Sequence, residues 1–140
     1  MVLVAPPDLE MWIIQYLADE LADVPDLTVT NMIPDDYDGA TPMISVRDDG
    51  GSQYEGGMFE RRLGVGVCYG AYENPKPCRD LAARVYALLT DPYLHAVPGS
   101  PVVGPVLEQC NGPYRITTQM RASREYVIVD YLVSGDIIKQ

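Results

Sequence analysis

The stretch from Phe59 to Pro92, FERRLGVGVCYGAYENPKPCRDLAARVYALLTDP, changes its hydrophobic period once, and that change restricts the fold more than anything else in the chain. Its first part alternates. Leu63, Val65, Val67 and Tyr69 fall on one side and Arg62, Gly64, Gly66 and Cys68 on the other, the period of a strand with one buried face. From about Arg79 the spacing turns helical, with Leu81, Val85, Leu88 and Leu89 on one stripe beside Ala82 and Tyr86. Between the two lies a start signal: Asn74 as cap, Pro75 at the first helical position and Pro77 still in the first turn. Asp91-Pro92 ends the helix. A strand followed by a helix that packs back onto it is the expected nucleus of the core.

The rest of the chain adds elements on both sides. Asp8 is a candidate N-cap for a helix carrying Leu9, Ile13, Leu17 and Leu21, running to about Ala22, and Asp23-Val24-Pro25 stops it. Leu27 to Ile33 reads as a strand. Pro42 to Asp48 reads as another, with Ile44 and Val46 inward and Ser45 and Arg47 outward. Asp48 to Gly57 (DDGGSQYEGG) has four glycines and no apolar pattern, so a long mobile hairpin connection is expected there. After the second helix, Pro92 to Pro105 is irregular and Val102 to Cys110 extends. Asn111-Gly112-Pro113 turns the chain, and Tyr114 to Met120 alternates. Arg124 to Val133 is the strongest strand of all. Val127, Val129, Tyr131 and Val133 lie on one side and Tyr126, Ile128 and Leu132 on the other, which predicts a central strand; Ser134 to Gln140 is expected to fray.

The order helix, strands, helix, strands predicts a single α+β domain over residues 1–140, a mixed and mainly antiparallel sheet flanked by two helices. A length of 140 residues suits one such domain. No apolar run approaches the roughly 20 residues of a membrane helix, so no membrane partner is expected. Met1 to Pro7 lacks the features of a secretory signal, from which folding in a cytoplasm is expected. The formal net charge of −10, with ten Lys and Arg in total, argues against a nucleic-acid reader.

Candidate chemistry is sparse. Three cysteines, Cys68, Cys78 and Cys110, without metal-ligand spacing are expected to be free thiols, and His95 is read as a surface or packing residue. Pro34 to Gly39 (PDDYDG) lacks the alternating oxygen ligands and terminal Glu of a calcium loop and is read as a solvated turn. An enzyme would rest on a carboxylate pair among Asp35, Asp36 and Asp38, or on a Cys78 thiolate at a helix N-terminus. Neither has a base at recognisable spacing. The expectation is therefore no catalytic residue, no metal and no cofactor.

The ordered pattern resembles the tail terminator proteins of long-tailed phages. It comprises the N-terminal amphipathic helix, the strand ending in the acidic Gly-Gly loop, the Arg-flanked alternating strand, the helix RDLAARVYALL and the late turn before REYVIVDYLV. The likeness covers about Asp8 to Val133. It implies a homo-oligomeric ring, usually a hexamer, that caps the tail tube, contacts the major tail protein on one side and a neck or head-completion protein on the other, and catalyses nothing. The place would be the tail and neck of the virion, after assembly in the host cytoplasm.

By that resemblance the tube-facing loop is Asp48, Asp49, Gly50, Gly51, Ser52, Gln53, Tyr54, Glu55, Gly56 and Gly57. Arg61 and Arg62 match a basic edge that, with Tyr126, Ile128 and Leu132, would meet the next subunit. Asp35, Asp36 and Asp38, together with Asp48 and Asp49, would line a lumen through which DNA passes without specific binding. Tyr-Glu-Asn-Pro-Lys-Pro before the second helix departs from the acidic and alanine residues commoner there. The alternatives are a head-completion or neck connector, or another minor tail protein, with the same ring logic, and beyond them a small enzyme or binding module.

Overall fold

A computed structural model describes residues 2–34, 36–117 and 121–139. The strand β1 (Leu3–Ala5) leads into helix α1 (Leu9–Glu20), whose first turn is capped by Asp8 accepting a hydrogen bond from the Met11 amide at 3.1 Å. There follow β2 (Thr28–Thr30), β3 (Met43–Asp48), β4 (Gln53–Tyr54) and β5 (Met58–Ala71), then helix α2 (Lys76–Leu89). The chain closes with β6 (Val102–Pro105), β7 (Asn111–Arg115), β8 (Ala122–Ser134) and β9 (Asp136–Lys139), with short 3-10 turns at Leu94–Ala96 and Leu107–Gln109.

The main sheet runs β2-β3-β5-β8-β6, with β4 also on β5 and β7 also on β8. Among the described residues, β2 and β3 alone pair in parallel; the other pairings of this sheet are antiparallel. This is the α+β architecture that the periodicities predict. The strand β8 is central as expected, with β5 on one side and β6 and β7 on the other. Met58 faces Ser134 at one end of the β5–β8 pair, and Cys68 faces Arg124 near the other.

Both helices cover one face of this sheet. Ile44 and Val46 of β3, Leu63, Val65 and Val67 of β5, and Val127, Val129, Tyr131 and Val133 of β8 share that face and are buried with Leu9, Ile13 and Leu17 of α1 and Leu81, Val85 and Leu89 of α2. The expected return of α2 onto its own strand is made by Cys78, whose thiol donates to the Val67 carbonyl at 3.1 Å, and α2 is also tied to β8 by Tyr131, whose hydroxyl donates to the Leu89 carbonyl. The helices meet each other through Tyr16 to the Leu88 carbonyl (3.4 Å) and Arg84 to the Glu20 carbonyl (3.3 Å), and Arg84 also pairs with Asp23 just past α1 (2.7 Å).

Several boundaries differ from expectation. The strand at Leu27 to Ile33 keeps only three residues, and the segment after Pro105 coils into a 3-10 turn instead of extending to Cys110. Asn111-Gly112-Pro113 belongs to β7, with Asn111 opposite Ile128; Thr118 to Met120 of the predicted strand lie outside the described residues. Pro75, not Asn74, occupies the cap of α2; its ring carries no acceptor to cap the helix, and Pro77 in the first turn removes one amide donor that would need one. The tail does not fray as a whole: Asp136–Lys139 pairs antiparallel with Leu3–Ala5 in a separate two-stranded ribbon. That partner lies at the far end of the chain, where no local pattern announces it.

Candidate interaction face

Alternation along β5 and β8 sends every second residue to the face that no helix covers. Glu60, Arg62 and Gly64 of β5, Arg47 of β3, and Arg124, Tyr126, Ile128, Asp130 and Leu132 of β8 lie there. Gly64 leaves a trough in this face. A Cβ at that position would overlap the Tyr126 hydroxyl and come within 3.1 Å of the Asp49 carboxylate. Tyr126 lies across the trough, with its hydroxyl accepting from Arg47 at 3.2 Å and its ring edge-on to Tyr114 at 5.9 Å. Arg47 in turn pairs with Asp49 at 2.6 Å.

The segment Asp48 to Gly57 is not a free connection. Asp49 and Gly50 together oppose Arg62, through Asp49 N–H to Arg62 O at 2.8 Å and Arg62 N–H to Gly50 O at 2.9 Å, a bulge. The ladder then continues: the Glu60 amide donates to Ser52 O at 2.8 Å, and Gln53 and Tyr54 pair with Phe59 and Met58. The tip turns at Gly56 and Gly57, both at positive φ (78° and 75°). At the root, the Asp48 amide donates to Glu10 of α1 at 3.0 Å and the Asp48 carboxylate accepts from Gly50 at 2.7 Å. The sequence showed no apolar alternation here because both sides of this arm are wet, so the backbone ladder alone defines it.

Strand geometry also divides the expected basic edge. Arg62 is on the open face with Tyr126, Ile128 and Leu132, whereas Arg61, its neighbour, points to the helix side with its guanidinium 5.9 Å from the Phe59 ring centre. Adjacent strand residues cannot share a face. Asp36 and Asp38 are exposed, and Asp38 accepts from the Ala40 amide at 2.9 Å; Asp35 lies outside the described residues.

The cysteines are free thiols, as expected. Cys78 is fully buried, and burial pushes its thiol up to about 11, so the helix start does not make it a reactive thiolate. His95 is exposed, with Nδ1 2.9 Å from the Pro92 carbonyl. Among the described residues, no group of three or more His, Cys, Asp or Glu side chains is placed to hold a metal, and no helix is long and apolar enough to cross a membrane.

A buried polar group was missed from the sequence. Asp130, inside the run YVIVDYLV, is 2% exposed and its Oδ2 is 3.8 Å from Arg62. Arg62 also donates to Gln109 at 3.2 Å. Glu60, one diagonal step away on β5, accepts from the Tyr54 hydroxyl at 2.7 Å. A lone Asp in an apolar strand was the available signal.

The fold therefore defines an α+β protein with one helix-covered face and one open, polar face. No protein-family model matches the chain, and no curated protein matches it either.

Proposed function

We propose that this chain is a tail terminator subunit, one of several copies that join edge to edge in a ring on the end of a phage tail tube, stop its growth and present a surface to the neck. The observation that carries the reading is the grouping of exposed apolar side chains at one end of the molecule. Gly135 of the β8–β9 link bonds to Gly57 at the tip of the hairpin arm (2.8 Å), and Val102 of β6 faces Val133, so arm tip, ribbon and β6 meet there. Val2, Leu3, Tyr54, Val103, Ile137 and Ile138 are all exposed at this end. Exposed apolar side chains on both faces of this end, in a protein of net charge −10, support its burial in an assembly. A head-to-tail ring needs two unlike patches per subunit, and the apolar end and the Arg-lined open face meet that need.

In this reading the hairpin arm contacts the major tail protein, the acidic surface gives passing DNA no phosphate partners, and the protein performs no catalysis. The test is the size of the purified protein by light scattering across concentration, with negative-stain imaging of mixtures with tail tubes. Rings or decorated tube ends are expected. Ile137→Asp with Ile138→Asp should leave the melting temperature of the monomer unchanged and abolish association. Persistent monomers that never bind tube ends overturn the proposal.

A further inference from the structure

Asp130 is buried without full compensation. Among the described residues its Oδ1 has no hydrogen-bond donor, and the cation beside it, Arg62, is shared with Gln109. A buried carboxylate in that condition is costly unless it gains a proton or a partner. Glu60, diagonal to Asp130 across the β5–β8 ladder, lines the same recess together with Arg62. The other titratable or charged groups around Asp130 are Tyr54 from β4, Asp49 from the bulge across the recess, and Cys110, whose sulfur accepts from the Asp130 amide at 3.5 Å. Arg62 is the single cation among them.

We propose that Asp130 and Glu60 share one proton and form a pH-sensitive latch for the hairpin arm. With the proton in place, Asp130 donates to Glu60, Glu60 accepts from Tyr54, and the arm is held against the open face. Without it, two adjacent carboxylates face one guanidinium, Glu60 swings outward, and the Tyr54 tether goes with it. The chemistry of the pair sets the window. Burial, reinforced by Glu60, raises Asp130 to about 6 from 3.8, while the Tyr54 hydrogen bond holds Glu60 below the ordinary carboxylate range. A raised carboxyl stabilises the folded arrangement fully below its unfolded value, and that contribution is lost as pH rises through about 6. Glu60 acts in the opposite sense, and its contribution is lost only at more acidic pH, outside this window.

The test uses the isolated full chain, so it stands or falls apart from the ring. Hydrogen exchange of the Glu60 and Arg62 amides, which bond to Ser52 and Gly50, is measured from pH 5 to 8 with the intrinsic rate divided out. Their protection should fall about tenfold, while that of Val129 stays level. Asp130→Asn, whose amide donates at every pH, should hold protection at its pH 5 value throughout. Tyr54→Phe, which removes the tether, should lower protection at pH 5 to about its pH 8 value and flatten the slope. Flat protection in the native protein, or a slope retained in Asp130→Asn, overturns the latch. Should Asp130→Asn fail to fold, the carboxyl carbon shift of Asp130 in the native protein decides: a midpoint below about 4.5 overturns it and one near 6 supports it.

Discussion

The two faces of the β5–β8 pair are made by alternate residues of the same two strands, yet they obey different rules. On the helix side, Leu63, Val65, Val127 and Val129 are fully buried in one hydrophobic cluster. On the open side, Gly64, Tyr126, Arg62 and Asp130 are held by hydrogen bonds, an ion pair and a trough left by a missing side chain. A face covered by helices selects residues by volume, because every methylene there displaces water. The uncovered face selects them by partner and pairs its charges, whereas the helix side admits charge only at Arg61 beside Phe59 and at Glu125 opposite Val67 among the residues of this strand pair.

The sharpest way to break this contrast is to place the same charge on neighbouring residues of β8. Val129→Asp buries an unpaired carboxylate among Leu, Val and Ile and should cost about 3–5 kcal/mol, unfolding the protein at moderate temperature. Ile128→Asp, one residue away and facing the open side, should cost only about 1–2 kcal/mol. Equal losses in urea titrations of the two variants would mean that the open face is not open.

A smaller effect belongs to the trough. Gly64→Ala should cost about 1–3 kcal/mol by expelling Tyr126, and Tyr126→Ala in the same chain should recover part of it. A double variant no more stable than the single one would show that Tyr126 is not what fills the space. On the helix side, Asp8→Ala removes the cap of α1 and should cost about 1 kcal/mol, measured by thermal melting. Least of all, Arg84→Ala breaks an ion pair whose two side chains are 44% and 66% exposed, and its effect on the melting temperature should be the smallest of the set and shrink further in salt.

Much of the covered face was legible in advance. Alternation marked β3, β5 and β8, the helical stripe marked α2, and Asp8 marked the start of α1, because each of these signals is local and repeats along the element it describes. The open face was legible only as a list of residues. Arg61 and Arg62 are adjacent in sequence and read as one basic edge, but a strand turns them to opposite sides. Glu60 and Asp130 are seventy positions apart, and only the antiparallel register makes them neighbours. The polar arm from Asp49 to Gly57 read as a loose loop because its order comes from backbone hydrogen bonds, which leave no mark in side-chain pattern.

The amino-acid sequence by itself determined the element types along the core and the identity of the buried stripe, since burial of apolar side chains at fixed period needs no distant partner to be recognised. Tertiary structure alone decided that the two chain ends zip into a ribbon, that the arm lies along β5, and that an aspartate in an apolar strand meets a glutamate. The physical reason is register: a ladder of hydrogen bonds brings together residues that no spacing rule connects, and a shift of one residue would have turned Asp130 into the core.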